Sequence, residues 1–172
     1  MTNNTQLFIG FSGGLFGSNG VGKTTAANFL VEKYNFYLCN LSNPIEESAK
    51  KLCSWNGIKD KDGLQILNQV CISGKKINED YWFNISLASI PKNINKIVFD
   101  NIYFSNETNF IKNFKGFVIN IERNGFQKNF LTHKPDYVVL NNDSLDAFKN
   151  KIDKLIIQLY NIKDVINKKN KY

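Results

Sequence analysis

Apolar positions in this chain alternate between continuous runs and stripes of helical period. The run from Leu7 to Phe16 opens the pattern, and either Leu7 to Ser12 or Leu15-Phe16 supplies its strand. Past Gly22 the period changes. Ala27, Leu30, Val31 and Tyr34 fall at i, i+3, i+4 and i+7, which predicts a helix that packs one stripe onto a sheet. Phe36 to Leu41 reads as a second strand. Pro44 suits a first helical turn, with Ile45, Ala49, Leu52 and Cys53 as that helix's apolar face. Asp62 and Gln65 form a capping box for a helix carrying Leu64, Leu67, Val70 and Cys71, stopped by Gly74. A further helix runs from Glu79 to Pro91. Ile97-Val98-Phe99 is the continuous apolar run of a strand buried on both faces, and it ends in Asp100. Phe110, Ile111 and Phe114 mark a helix ended at Gly116, and Phe117 to Ile121 and Tyr137 to Leu140 read as two more strands. Leu145, Phe148, Ile152, Leu155, Ile156 and Leu159 form the longest stripe, capped by Asp143 or Ser144. Strands and helices in alternation predict an α/β fold: a five-stranded parallel sheet with helices on both faces, in three layers.

The chemistry lies where the first run meets the first stripe. Gly17-Ser18-Asn19-Gly20-Val21-Gly22-Lys23-Thr24 fits G-x-x-x-x-G-K-[ST], the phosphate-binding loop of the P-loop NTPase fold. Gly17, Gly20 and Gly22 let backbone N–H groups turn inward around an anion. Lys23 reaches the β and γ phosphates, the Thr24 hydroxyl suits Mg²⁺, and Thr25 continues the loop into the helix. That helix aims its positive end at the same phosphates. Ligands of parallel sheets sit at the C-terminal ends of the strands, so Asp100 points into the crevice that holds Lys23, the position of a Walker-B carboxylate on Mg²⁺. ATP and Mg²⁺ are the expected cofactors. Asp60-Lys61-Asp62-Gly63 and Asn150-Lys151-Ile152-Asp153 fit the GTPase D-x-x-G and N-K-x-D boxes. Asp60 follows a turn and not a strand, however, and Ile152 sits inside a helical stripe, so neither is read as a guanine site.

Composition narrows the setting. A chain of 172 residues with 42% hydrophobic content suits one globular domain over 1–172, with a basic tail over 161–172 that frays. No apolar run approaches the roughly 20 residues of a membrane span. Met1 to Gln6 lacks the charge of a secretory leader, so a cytoplasmic monomer or homodimer without a membrane partner is expected. Cys39, Cys53 and Cys71 form no C-x-x-C pair and read as reduced thiols. The net charge of +7 favours polyphosphate ligands without requiring a nucleic-acid polymer. Much of it sits on Lys149, Lys151, Lys154, Lys163, Lys168, Lys169 and Lys171, which read as a solvated helix face and a frayed tail. The single histidine, His133, reads as a loop residue.

Several fragments in one order resemble the bacteriophage-type deoxynucleoside monophosphate kinases across nearly the whole chain. Ile9-Gly10-Phe11-Ser12-Gly13 and Gly22-Lys23-Thr24-Thr25-Ala26 look like that family's first strand and loop, and Leu41-Ser42-Asn43-Pro44-Ile45 with Glu47 is similar to its F-A-D-P-L-K-E. Gly74-Lys75-Lys76-Ile77-Asn78-Glu79-Asp80-Tyr81-Trp82 resembles its G-R-x-I-x-x-D-x-W. The segment Ile97 to Glu107 resembles V-I-x-D-V-R-F-x-N-E, and Ile119 to Arg123 resembles its late strand ending in arginine. The resemblance implies phosphoryl transfer from ATP to a deoxynucleoside monophosphate. It places Arg123 and Lys75 on the transferring group, and Ser42, Asn43, Trp82 and Tyr103 near the acceptor. The chain departs from the family at its guanidinium positions. Lys75 and Tyr103 stand where the family has arginine, Glu46 where it has lysine, and Arg123 is the single arginine. Two alternatives follow: a small-molecule kinase like dephospho-coenzyme A kinase, which the loop region also resembles, or a nucleotide-binding protein that has lost catalysis.

Overall fold

The computed structural model describes residues 6–14, 20–126 and 134–169. Its elements in chain order are β1 (Leu7–Ser12), α1 (Lys23–Tyr34), β2 (Tyr37–Cys39), α2 (Asn43–Cys53), α3 (Lys61–Ile77) and α4 (Tyr81–Ala88). They continue as β3 (Lys96–Phe99), α5 (Ser105–Asn113), β4 (Phe117–Glu122), β5 (Tyr137–Leu140) and α6 (Leu145–Lys169). Two compact units emerge, Met1–Leu38 with Asn93–Tyr172, and Cys39–Lys92. Among the described residues no helix is long and apolar enough to cross a membrane.

The five strands form one parallel sheet in the order β2-β3-β1-β4-β5. β1 lies at its centre, with Phe8 beside Ile97 of β3 and Phe11 beside Ile119 of β4. Every residue of β1 is buried, as a strand covered on both faces requires, and this settles Leu7 to Ser12 as the strand before the loop. Leu15 and Phe16 lie outside the described residues. Period-two alternation divides β1 between the faces. Leu7, Ile9 and Phe11 join Ile119, Ile121, Ala27 and Leu30 of α1, and Phe148, Ile152, Ile156 and Leu159 of α6, in one core. Phe8 faces the other way, its ring stacked on Phe110 of α5 at 6.2 Å and tilted against Phe114 at 4.9 Å. Full burial of one such side chain stabilises by about 1.5–3 kcal/mol relative to exposure. The sheet therefore holds α1 and α6 on one face and α5 on the other, the three-layer arrangement expected.

The motifs that resemble guanine boxes are absorbed into this framework. Asp153 accepts from both Lys33 Nζ at 2.6 Å and Tyr34 Oη at 2.7 Å, which ties α1 to α6. Asp60 is the N-cap of α3, accepting from the Gly63 backbone N–H at 2.8 Å, so the cap is Asp60 and not Asp62. Ser144 Oγ accepts from the Ala147 N–H at 3.3 Å and thus caps α6. The lysine face of α6 is not uniformly solvated. Lys163 is buried, its ammonium donating to the Phe114 carbonyl at 3.3 Å at the end of α5, and burial pushes its pKa down.

In the second unit α2, α3 and α4 enclose a smaller core of Ile45, Ala49, Trp55, Leu67, Val70 and Cys71. Leu52 and Cys53, expected on the apolar face of α2, are exposed. The chain leaves α2 through Ser54, in the left-handed region at φ 50°, and returns Trp55 under Ala49, so a loop residue fills the space those two would have taken. Gly74 does not stop α3, which continues to Ile77. A Cβ on Gly74 would lie 2.3 Å from Trp82 Nε1, so glycine is there to admit the indole ring.

Candidate active site

The phosphate loop joins the end of β1 to the start of α1. Gly17, Ser18, Asn19 and His133 lie outside the described residues. Gly22, at φ 109°, is the N-cap of α1, and Lys23 is that helix's first residue. Thr24 is exposed at the helix start and Thr25 half-buried, while the Ala26 N–H closes the first helical bond on Gly22 O at 2.9 Å.

Lys23 turns back toward the end of β1. Its side chain is buried, with 5% of its surface exposed, and Nζ donates to the Gly13 carbonyl at 2.7 Å. Gly13 supplies that carbonyl because it sits at φ 131° with Ile121 O close behind it, where a Cβ would come within 2.1 Å. Burial lowers the Lys23 pKa, and the carboxylate of Asp100 opposes that shift. Asp100 follows β3 and is buried. The Lys23 ammonium also lies 5.5 Å from the centroid of the Tyr103 ring. Burial, then Asp100 and Glu107, push the Tyr103 hydroxyl up to about 12, so it stays protonated at neutral pH. The structure thus brings together Lys23, Asp100 and Tyr103.

Glu107 fixes the turn that carries Tyr103. Its Oε2 accepts from the Tyr103 N–H at 2.8 Å and the Phe104 N–H at 3.0 Å, and the side chain is buried. Glu107→Ala leaves two backbone donors without this acceptor and is expected to destabilise the protein by about 1–3 kcal/mol, with Glu107→Gln recovering part. Urea unfolding of the three proteins measures this, and an alanine variant as stable as the parent would refute it.

Arg123 follows β4 and reaches the loop from the other side. Its Nη1 donates to Gly20 O at 2.8 Å, and its guanidinium carbon lies 5.7 Å from the Phe126 ring centroid. After β5, Asn141 Nδ2 donates to Val21 O at 2.8 Å. The loop is therefore held from the ends of β4 and β5 as well as from β1. A cavity of about 110 Å³ opens beside it, lined by Gly13, Gly14, Glu122, Arg123, Phe126 and Leu140 among others. Two of its lining residues belong to a chain of polar groups in which buried Ser12 Oγ donates to Asn120 Oδ1 at 3.2 Å and Asn120 Nδ2 donates to Glu122 Oε1 at 3.3 Å. Gly13 and Asn120 lie within fragments that resemble the kinase family, and Asn141 within Asp136 to Leu145, which is similar to its closing D-x-x-I-x-N, but the sequence assigns none of them a role in the site. They act through partners more than 100 residues away or through a backbone carbonyl, which local pattern does not encode.

The remaining candidates belong to the Cys39–Lys92 unit. Ser42 is the N-cap residue of α2 and its N–H donates to Asn40 Oδ1 at 2.9 Å, while Asn43 is exposed at the helix start. Lys75 is half-buried in the last turn of α3. Trp82 is half-buried, its indole N–H donating to Cys71 O at 3.0 Å, so part of its work is packing.

A hydroxyl at Thr24 and a carboxylate at Asp100 are hard oxygen donors, the type Mg²⁺ prefers, and the charge on Asp100 acts in the same space as Lys23.

No family model matches the chain. It is 25% identical over 186 residues to a protein of Acanthamoeba polyphaga mimivirus provisionally named deoxynucleotide monophosphate kinase, an alignment covering 81% of this chain and 92% of that one. Among solved structures it is similar to a provisionally named kinase of Chloroflexus aurantiacus J-10-fl, with a TM-score of 0.48, 10% identity, and coverage of 90% of this chain and 97% of that one. It is also similar to the APS kinase CysC of Mycobacterium tuberculosis, with a TM-score of 0.47, 12% identity, and coverage of 88% and 97%. The chain is thus similar to a protein provisionally named as a deoxynucleotide monophosphate kinase, and its sequence carries the phosphate-loop pattern.

Proposed function

We propose that the protein transfers the γ-phosphoryl group of ATP to a deoxynucleoside monophosphate, giving ADP and the deoxynucleoside diphosphate. The observation that carries this reading is the ammonium of Lys23 held on the Gly13 carbonyl beside Asp100. The name of the mimiviral relative supports the acceptor class. In this reading backbone N–H groups around Gly20 and Gly22 cradle the donor phosphates, and Lys23 exchanges Gly13 O for a phosphate oxygen. Thr24 and Asp100 would hold Mg²⁺, which when bound supplies charge neutralisation on the phosphates. Arg123 and Lys75 meet the transferring group, and Ser42, Asn43, Trp82 and Tyr103 meet the acceptor. No strong base is required, because the attacking phosphate oxygen is already ionised near neutral pH.

The acceptor assignment is tested by following ADP formation over a panel of deoxynucleoside monophosphates, ribonucleoside monophosphates and dephospho-coenzyme A. Turnover with at least one deoxynucleoside monophosphate and none with dephospho-coenzyme A is expected. Turnover with dephospho-coenzyme A alone reverses the assignment.

A further inference from the structure

Around the Lys23 ammonium, among the described residues, lie the Gly13 carbonyl at 2.7 Å, the Asp100 carboxylate and the face of Tyr103. Two of them change partners in the phosphoryl-transfer reading, whereas Tyr103, which meets the acceptor there, can keep its ring face on the ammonium. Gly13 O is exchanged for a phosphate oxygen, and Asp100 faces the metal. The ring is the neighbour that can stay with the ammonium throughout, because a π face attracts a cation within about 6 Å without demanding one bond direction. It is also fixed in place, since Glu107 Oε2 holds the backbone N–H groups of Tyr103 and Phe104. A lysine side chain loses rotamer freedom when its tip is held in one place, so a fixed surface beside that tip lowers the cost of presenting the charge.

We propose that Tyr103 is a positioning residue for Lys23, its ring face holding the ammonium where it meets the donor phosphates. The phenol stays neutral and does not take the lysine's proton. The inference rests on the phosphoryl-transfer reading for its purpose, though the pairing itself is measurable without nucleotide.

The test uses the full chain, with Tyr103→Phe and Tyr103→Leu each made alone and on a Lys23→Met background. In nucleotide-free protein, NMR should find the Lys23 ε-methylene protons displaced by ring current. The displacement should persist in Tyr103→Phe and vanish in Tyr103→Leu, with Lys23→Met assigning the signal. Tyr103→Leu should weaken Mg-ATP binding about fivefold to thirtyfold, the range of a desolvated cation–π contact. Tyr103→Phe should restore it, and on the Lys23→Met background Tyr103→Leu should change nothing further. A missing ring-current shift, or an equal loss of affinity on both backgrounds, overturns the proposal. A wild type that keeps the shift yet binds no Mg-ATP sinks the kinase reading and not the Lys23–Tyr103 pairing.

Discussion

Arg123→Ala is expected to cut turnover about a thousandfold while Mg-ATP affinity changes little, the scale at which one arginine stabilises a phosphoryl-transfer transition state. The geometry behind this is asymmetric. One N–H of the guanidinium donates to Gly20 O, and Arg123 lines the cavity beside the loop. The chain contains no second arginine, and Tyr103 and Lys75 occupy the positions where the resembling family has guanidinium groups. Arg123→Lys should recover only part of the loss, because an ammonium restores charge but cannot bind the loop carbonyl and a phosphate oxygen as one planar fork. Steady-state kinetics with saturating acceptor give the comparison. Wild-type turnover in Arg123→Ala would shift the transfer step onto the lysines.

Lys23→Met should weaken Mg-ATP binding about tenfold to a hundredfold, the range for losing a hydrogen bond to a charged group, and should abolish measurable transfer. The fold should survive. Methionine occupies a similar volume, and it removes an ammonium whose burial opposes its charge. Thermal unfolding with and without Mg-ATP separates the two effects. Ligand should raise the melting temperature of the wild type by mass action and that of Lys23→Met by clearly less. Equal stabilisation of both proteins would remove Lys23 from the donor site.

Where the sequence was legible, one physical constraint dominated. β1, β3 and β4 are buried on both faces, so their runs are continuous, and Asp100 was readable as the residue that ends β3. α6 was legible because its stripe is long, although Leu145 at its start is exposed and Lys163 is buried. Elsewhere two local solutions competed. Asp60 and Asp62 both offer a cap to the same helix, and the backbone of Gly63 favours the first. Leu52 and Trp55 both offer an apolar side chain to the second unit's core, and the left-handed turn at Ser54 delivers Trp55. Gly74 carries the composition of a stop, but its meaning depends on Trp82, eight residues on.

The site divides along the same line. Its loop was legible because a phosphate cradle needs glycine and lysine at fixed offsets along one segment. Its supports were not. Lys23 on Gly13 O, Arg123 on Gly20 O and Asn141 on Val21 O all end on backbone carbonyls, which every residue type provides. Tyr103 was readable as a departure from a family pattern, but its position over the Lys23 ammonium depends on the turn that Glu107 fixes after β3.

The most direct test of the phosphoryl-transfer account is a single-turnover experiment with ATP labelled at the γ-phosphate, Mg²⁺ and a mixture of deoxynucleoside monophosphates. The account predicts label in the β position of a deoxynucleoside diphosphate, formed in step with ADP. Label that remains in ATP, or that appears only as inorganic phosphate, would contradict it.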